Sequence, residues 1–291
     1  RYYPSEDIQA LRVQLEKGAK VPGTYRPGRR DGDHLQVVTV INFKGGSGKT
    51  TTAAHLAQKL ALDGYRVLAI DLDPQANSSH YLLGDRLADV DTNIADFFSQ
   101  TLSSGLFSKK AETFVTETPF ENLWLMPASP ELAELQHKLE SRYKIQKLRK
   151  LLKDLKDNYE RIYIDTAPAF NFYTMSALIA ADRVLIPFDC DSFSRQALYG
   201  LLTELEDVRE EHNEDLMVEG IVVNQFQPRA ALPQKMLDEL VAEGLPVLPV
   251  HLNSSVRMRE SHEAATPLIF LDGRHKLTQQ FMALHDHIES Q

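Results

Sequence analysis

Apolar residues along this chain form short uninterrupted runs, and the stretches between many of these runs have helical spacing. A run that is apolar at successive positions predicts a strand buried on both faces, because neighbouring side chains of a strand point to opposite sides. The predicted strands cover residues 37–42, 66–71, 123–126, 161–165, 183–188, 218–224 and 247–250. The predicted helices cover residues 50–62, a helical region at 130–158, stretches near 193–211 and 233–243, and the end of the chain at 277–289. Strands that alternate with helices predict an α/β fold with a doubly wound, mostly parallel sheet.

The first 34 residues differ from the rest of the chain. Ser5 and the spaced apolar residues that follow it predict a short capped helix. The residues that predict a basic, irregular linker are Pro22, Gly23, Pro27, Gly28, Arg29 and Arg30. Two interpretations stand at this point: the remnant of an N-terminal module that binds DNA or a partner, and a flexible arm with one docking helix. We therefore divide the chain into an N-terminal helix and linker, residues 1–34, and one domain, residues 35–291.

Composition limits the function classes. The formal net charge of -9 over 291 residues argues against a uniformly basic nucleic-acid binder but leaves room for a local basic patch. A single cysteine, Cys190, excludes an internal disulfide framework and indicates a reducing cytoplasm; we expect its side chain to be small, buried and unreactive. No stretch reaches the roughly 18 apolar residues of a membrane span, and no signal peptide is visible.

The strand at 37–42 leads into a glycine-rich turn and then a helix. This arrangement directs backbone N–H groups and the positive end of the helix at one spot, which suits the phosphates of a nucleotide. The residues predicted to bind a nucleotide here are Lys44, Gly45, Gly46, Ser47, Gly48, Lys49, Thr50 and Thr51. Lys49 is expected to reach the β- and γ-phosphates, and the Thr50 hydroxyl to bind Mg²⁺. The candidate ligands are therefore ATP and Mg²⁺.

The loop departs from the standard G-x-x-x-x-G-K-[ST] pattern, because Phe43 stands where the first glycine belongs. An additional lysine, Lys44, is not needed to close the loop around one nucleotide. The string Lys44-Gly-Gly-Ser-Gly-Lys-Thr-Thr51 resembles the deviant Walker A loop of the ParA/MinD group of P-loop ATPases, and most closely that of the ParA-type DNA partition ATPases. The resemblance covers roughly residues 35–288. It implies that Lys44 crosses the interface of an ATP-bound homodimer to contact the partner's ATP.

Carboxylates stand where two predicted strands end. Asp71 and Asp73 lie at the exit of one strand, and Asp165 ends another. Such residues can hold Mg²⁺ or orient the water that attacks the γ-phosphate, although each alone is also typical of a turn or a helix N-cap. The resemblance implies that Asp73 positions the water and that Asp71 and Asp165, with Thr50, support the Mg²⁺. We expect Lys44, Lys49 and Mg²⁺ to supply most of the catalysis by neutralising charge.

Recognition of the base is less fully specified. Asn224 ends a predicted strand at the position where the family has an asparagine that contacts adenine, and an asparagine that caps a turn is the competing interpretation. The next stretch that faces adenine in the family corresponds to residues 252–257. Here that stretch lacks the proline and the first arginine of the family's pattern.

The resemblance also implies that the ATP-bound sandwich dimer binds DNA without sequence preference, and that a ParB-like partner stimulates slow hydrolysis. The candidate DNA-binding residues, chosen by position and charge, are Arg229, Lys235, Arg257, Arg259, Arg274 and Lys276. Each of them alone is also compatible with an ordinary solvated surface residue. Three or four contacts per subunit, pooled in a dimer, would give salt-sensitive binding.

Two other functions remain open. A MinD-like protein that cycles on membranes, or one that positions a protein cargo, would use the same ATP site; a membrane-binding form needs a basic amphipathic helix at its C-terminus. Residues 277–289 have the apolar spacing but carry acidic and histidine residues, which favours a helix docked on the core. A nucleotide-gated regulator that does not hydrolyse ATP is the second alternative. We expect a cytoplasmic, nucleoid-associated protein without a membrane partner.

Overall fold

The computed structural model describes residues 5–25, 34–102 and 109–290. The strands are β1 (Gln36–Val40), β2 (Val67–Asp71), β3 (Thr116–Glu117), β4 (Leu123–Met126), β5 (Arg161–Asp165), β6 (Arg183–Asp189) and β7 (Met217–Asn224). The α-helices are α1 (Ser5–Glu16), α2 (Lys49–Asp63), α3 (Asn77–Leu83), α4 (Ile94–Leu102), α5 (Glu131–Ser141), α6 (Lys147–Asp154), α7 (Phe172–Ala180), α8 (Ser192–Glu211), α9 (Ala231–Ala242), α10 (Val256–Glu263), α11 (Leu268–Leu271) and α12 (Lys276–Glu289). Short 3₁₀ helices cover Gly84–Asp89 and Ala111–Phe114.

The strands form one seven-stranded sheet in the order β3-β4-β2-β5-β1-β6-β7. Every neighbouring pair is parallel except β3 and β4. The predicted doubly wound, mostly parallel sheet is therefore confirmed. The chain order reverses at β1, which pairs with β5 on one side and β6 on the other. A ligand is expected at the carboxyl ends of the strands beside such a reversal.

Both faces of the sheet are buried. Val37 of β1 belongs to a core formed with α4 to α8, whereas Val38 and Val40 belong to a second core formed with α2, α11 and α12. This alternation explains why the strands are apolar at successive positions. The C-terminal helix α12 is docked, as predicted: the Phe281 ring stacks on His55 of α2 with the ring centroids 4.3 Å apart.

The N-terminal helix also contacts α2. The Gln9 side-chain amide donates a hydrogen bond to the Leu62 carbonyl at 3.1 Å, close to the end of α2. Residues 26–33, which include most of the predicted basic linker, lie outside the described residues. Within the described residues, no helix has both the length and the apolar character needed to cross a membrane.

The prediction of a strand at residues 247–250 is wrong. Val247 forms a single parallel bridge with Ile221 of β7, and the ladder ends there. Pro249 has no N–H group, so it cannot continue the pattern of hydrogen bonds. Three other features were not predicted: the two-residue antiparallel strand β3, the helices between residues 77 and 102, and the break at Tyr143 that separates α5 from α6.

The close approach of residues 245–252 to β7 depends on Gly220. A Cβ atom added there would lie 2.5 Å from Leu248 Cδ2, and Leu248 is buried. We expect Gly220→Ala to lower the free energy of unfolding by about 1–3 kcal/mol, because a packed side chain must shift. Urea denaturation measures the free energy of unfolding.

Gly200→Ala is the matched control. Its added Cβ atom meets open space on α8, and this variant should be more stable than the unmodified protein by about 0.5–1 kcal/mol. Equal stability of Gly220→Ala and the unmodified protein would contradict this packing.

Candidate functional site

A glycine-rich loop joins β1 to α2 at the carboxyl edge of the sheet. The buried Asn42 side chain fixes the start of the loop: its amide donates to the Pro187 carbonyl of β6 at 2.6 Å, and its oxygen accepts the Lys44 N–H at 2.8 Å. Gly46 and Gly48 have φ values of 76° and 91°, a region of backbone conformation that glycine adopts at little cost. The loop therefore has its shape because of these residues.

The end of β7 holds the outer side of the loop. Asn224 Nδ2 donates to the Ser47 carbonyl at 2.8 Å, and Gln225 Nε2 donates to the Gly46 carbonyl at 2.8 Å. A Cβ atom on Gly48 would lie only 2.0 Å from Asn224 Nδ2, so another residue there would have to displace the Asn224 side chain and adopt a backbone conformation that favours glycine. The backbone N–H groups of residues 45–48 donate no hydrogen bond to another described residue. A loop with bound carbonyls and open amides fits the phosphates of a nucleotide.

Lys49 is buried at the first position of α2. Its Nζ donates to the Lys44 carbonyl across the loop at 3.2 Å. Burial lowers the pKa of Lys49, and the nearby charges of Asp165, Asp73 and Asp189 oppose that effect. A cation that is partly removed from water and surrounded by carboxylates is well placed to bind phosphate oxygens.

Asp165 lies beneath Thr50. Its Oδ2 atom accepts hydrogen bonds from the Thr50 hydroxyl at 2.6 Å and the Ser78 hydroxyl at 2.7 Å. Its Oδ1 atom is buried and has no hydrogen-bond partner among the described residues. Burial raises the pKa of Asp165, while the two hydroxyl groups and Lys49 lower it. A cation would therefore stabilise the ionised carboxylate.

These groups fit Mg²⁺ bound with a nucleotide. No cluster of three or more His, Cys, Asp or Glu residues in the described part of the chain could hold a metal ion. Mg²⁺ usually binds through one or two carboxylates together with water and substrate phosphates, and seldom in an all-protein cage. Thr50 and Asp165 supply that small set of oxygens.

Asp71 and Asp73 differ in their surroundings. Asp71 is fully buried, and both of its oxygens accept hydrogen bonds: Oδ1 from the Asp73 N–H, and Oδ2 from the Ser79 N–H and hydroxyl. Burial and the charge of Asp165 raise the pKa of Asp71. Its contacts fit a residue that fixes the turn. Asp73 uses one oxygen to accept the Gln75 N–H at 2.9 Å, and its other oxygen makes no hydrogen bond to a described residue.

Lys44 is held within its own chain. Its Nζ pairs with Asp191, lies 3.4 Å from Asp189 Oδ2 and donates to the Ser194 hydroxyl at 3.0 Å. Burial lowers the pKa of Lys44, but the hydrogen bond to Asp191 and the charges of both carboxylates outweigh it and raise the pKa.

Cys190 lies between these two carboxylates and is half-buried, where the sequence predicted a buried residue. Burial and the neighbouring charges of Asp189 and Asp191 raise the pKa of its thiol to about 11. The thiol therefore stays protonated near neutral pH, as expected for an unreactive cysteine.

The structure brings together the predicted loop, the three strand-end aspartates and Asn224. The sequence did not predict several of their partners: Asn42, Ser78, Asp189, Asp191, Gln225 and His262. The Nε2 atom of His262 lies 3.1 Å from the Thr51 hydroxyl oxygen. Asp189 ends strand β6, so the strand-end signal that found Asp165 would also have found it. Nothing in the sequence pattern points to Ser78 or His262.

The six candidate DNA-binding residues are all exposed. Arg257 pairs with Glu260 and lies 3.6 Å from Asp272, and Lys235 lies 3.8 Å from Glu239. The remaining candidates form no ion pair with another described residue: Arg229, Arg259, Arg274 and Lys276. Four of the six cations are therefore available to an anionic partner.

Comparisons of the sequence identify relatives. A family model described as an AAA domain matches residues 35–218. The Bacillus subtilis sporulation initiation inhibitor protein Soj is 30% identical over 86% of this chain and 96% of its own length. The Myxococcus xanthus chromosome partitioning protein ParA is 31% identical over 86% of each chain. A Rhizobium rhizogenes protein described as a replication protein A is 39% identical over 64% of this chain, and the match spans only 48% of that longer protein.

Solved structures share the fold. The cobyrinic acid a,c-diamide synthase of Mycobacterium smegmatis, solved with an ATP analogue and magnesium, superposes with a TM-score of 0.75 at 23% identity, over 87% of this chain and 93% of that one. The Pyrococcus furiosus cell division ATPase MinD gives a TM-score of 0.70 at 22% identity, over 88% of this chain and 98% of that one. At these identities the structural likeness shows the fold alone, whereas the curated sequence relatives and the matched model show the family. The chain therefore belongs to the ParA/MinD group of P-loop ATPases.

Proposed function

We propose that this protein is an Mg²⁺-dependent ATPase that segregates DNA. In its ATP-bound form it dimerises and binds duplex DNA without sequence preference, and hydrolysis, stimulated by a ParB-like partner, releases it. The observation that carries the proposal is the loop of open amides beside Lys49, Thr50 and Asp165, preceded by the additional Lys44. Relatives named for chromosome partitioning support the biological role.

The residues divide the chemistry between them. Mg²⁺, when bound, neutralises charge on the β- and γ-phosphates. The Thr50 hydroxyl and Asp165 hold it, and Lys49 and the amides of residues 45–48 bind the phosphate oxygens. The free oxygen of Asp73 orients the attacking water, and Asp71 fixes the turn that presents Asp73. Because phosphoryl transfer demands mainly positioning and charge neutralisation, these fixed groups suffice for slow turnover.

Lys44 links dimerisation to ATP binding. Within one chain its side chain is bound by Asp189 and Asp191, so it makes no contact with the phosphates of its own site. In the dimer it exchanges these carboxylates for the partner's ATP, so nucleotide and dimer stabilise each other. The Asn224 side chain, engaged with the loop carbonyl, places the end of β7 beside the base.

The DNA contacts come from exposed cations on α9, α10 and α12 and the turns before them. A membrane role is less well supported, because the apolar residues Leu277, Phe281 and Leu284 of α12 are already buried against the core. The distinction from a regulator that does not hydrolyse ATP rests on Asp73, which has an oxygen available to orient water.

Replacement of Lys44 tests the dimer. We expect Lys44→Ala to bind ATP with unchanged affinity but to remain monomeric, because the inter-subunit contact is lost. Analytical ultracentrifugation with a slowly hydrolysed ATP analogue measures the mass. Asp191→Asn is the control, since it removes the charge of one intrachain partner of Lys44 and keeps the lysine; this variant should still dimerise. ATP-dependent dimerisation of Lys44→Ala would contradict this role for the lysine.

Replacement of Asp73 tests hydrolysis. Asp73→Ala should bind ATP and dimerise, yet its turnover should fall by about a hundredfold or more, as expected when a water-positioning group is lost. The rate of phosphate release in single-turnover assays measures this loss of turnover. Asp85→Ala removes an exposed carboxylate near the same segment and should leave turnover unchanged. Normal turnover of Asp73→Ala would move the water-positioning role to another group.

Binding to a random-sequence duplex tests the function as a whole. With ATP we expect binding that weakens steeply with salt, with a log–log slope of about -5 to -7 for six to eight phosphate contacts per dimer. ADP, or Lys49→Ala with ATP, should abolish it. Arg229→Glu/Arg259→Glu should make the slope shallower. Intact ATPase activity without any DNA binding would favour the alternative, a positioning ATPase that acts on a membrane or on a protein complex.

A further inference from the structure

One segment has a charge opposite to that of the whole chain. Residues 138–156, here called the basic run, contain eight Lys or Arg residues and two acidic residues, in a protein whose formal net charge is -9. Its cations are Lys138, Arg142, Lys144, Lys147, Arg149, Lys150, Lys153 and Lys156. The run covers the end of α5, the turn after it, α6 and the residues that follow α6. None of these residues belongs to the nucleotide site or to the six candidate DNA-binding residues.

The cations of α6 lie on the side that faces away from the core. Leu148, Leu151 and Leu152 are buried, and Arg149, Lys150 and Lys153 lie at helical spacing on the opposite side; Lys156 follows the end of α6. Arg149, Lys153, Lys156 and His34 line a cavity of about 460 Å³ at the amino-terminal edge of the sheet. Two acidic residues, Asp157 and Asp182, also line it, and Asp182 is partly used by accepting the Val37 N–H at 2.7 Å. The cavity is therefore suited to an anionic group.

Within the described part of the chain, most cations of the basic run form no ion pair, although Arg142 donates a hydrogen bond to the Leu102 carbonyl at 2.6 Å and the charge of Arg149 acts on Asp182. Lys138, Arg142, Lys144, Lys147, Arg149, Lys150 and Lys153 form no ion pair with any described residue. Elsewhere in the described part of the chain, arginines that are partly buried pair closely: Arg66 with Glu160 at 2.5 Å, and Arg161 with Glu289 at 2.8 Å. Concentrated like charge is unfavourable for the fold, and an external polyanion would relieve it.

An aromatic ring stands in the middle of the basic run. Tyr143 is 91% exposed, and its ring contacts no other described ring. It follows the last turn of α5 in a left-handed conformation with φ 51°. Its N–H donates to the Glu140 carbonyl, and the Lys144 N–H donates to the Leu139 carbonyl, a pattern in which this position is usually glycine. A tyrosine there is unfavourable for the backbone and contributes no packing, so its ring is available to a ligand.

We propose that the basic run binds a single strand of nucleic acid, with Arg149, Lys150 and Lys153 on successive phosphates and the Tyr143 ring stacked on an unpaired base. Cations that follow the backbone and an exposed ring that stacks on bases are the combination by which single strands are bound without sequence preference. A duplex hides its base faces and would use the cations alone. An anionic membrane would favour an apolar anchor, but the residues on either side of Tyr143 are Arg142 and Lys144.

This binding needs neither ATP nor a dimer, so it goes beyond the proposed function. Fluorescence anisotropy of a labelled 20-nucleotide single strand, without nucleotide and over a salt series, tests it on the full chain. We expect a log–log salt slope of about -2 to -3 for three or four phosphate contacts. Lys150→Glu/Lys153→Glu should weaken binding at least about tenfold and make the slope shallower by about 1.4. Lys17→Glu/Lys20→Glu, an equal charge change on exposed N-terminal lysines, should leave binding unchanged.

Replacement of Tyr143 separates stacking from folding. Tyr143→Gly relaxes the left-handed backbone and should keep or raise stability, yet weaken single-strand binding by about fivefold to tenfold. Tyr143→Phe keeps the ring and should keep the affinity.

Three results would overturn the proposal: no single-strand binding at low salt, equal binding by the Lys150→Glu/Lys153→Glu variant, or binding to phosphatidylserine vesicles in place of single strands. Single-strand binding that survives in Lys49→Ala, while ATP-dependent duplex binding is lost, would support it independently of the ATP-driven function. Loss of duplex binding in every nucleotide state would count against the proposed function alone.

Discussion

The site depends on how closely β7 approaches the loop after β1. Asn224 Nδ2 is bonded to the Ser47 carbonyl, and a Cβ atom on Gly48 would lie 2.0 Å from it. This contact exists because β6 separates β1 from β7 by one strand in a parallel sheet, so that both strands end at the same edge. Once the carbonyls of the loop are held from outside, its amides and the start of α2 are fixed toward the interior of the site. Lys49 and Thr50 follow directly in the chain, so their positions are set by the same contact.

The electrostatics of the site follow from that geometry. Asp71 and Asp165 are directly paired across β2 and β5, and both are buried. Burial raises the pKa of both carboxyl groups, and the charge of Asp165 adds to the rise for Asp71. Hydrogen-bond donors, together with Lys49 in the case of Asp165, offset only part of this effect. The buried Asp165 Oδ1 atom has no hydrogen-bond partner among the described residues, so it is an acceptor that a cation could bind. The electrostatics of the site therefore favour a bound cation beside Asp165.

The sequence was sufficient for the features that depend on local pattern. Apolar runs located β1, β2 and β4 to β7, and acidic residues at strand ends identified Asp71, Asp73 and Asp165 as site residues, because parallel strands bring their ends together.

The failed predictions have physical causes. Pro249 ended a pairing that apolar residues favoured, and Tyr143 broke a helix at a residue with no helix-breaking signal. The partners of Lys44 lie 145 and 147 positions away in the chain, and no local pattern reports such a distance. The basic run was overlooked because its cations alternate with the leucines of amphipathic helices in a chain of net negative charge.

The sheet separates the basic run from the α12 part of the C-terminal surface, whereas α9 packs Met236 and Leu240 into the same core as α6. The buried leucines of α6 belong to the core on one face of the sheet, and those of α12 belong to the core on the other. A polyanion on the basic run therefore lies on the opposite side of the sheet from one bound near α12. The two surfaces also differ in kind: the C-terminal cations lie on several elements and, under the proposed function, pool their contacts in a dimer, whereas the basic run concentrates its charge on one continuous segment beside an exposed ring. Under the proposed function, nucleotide state controls the first surface through dimerisation and leaves the second nearly unchanged.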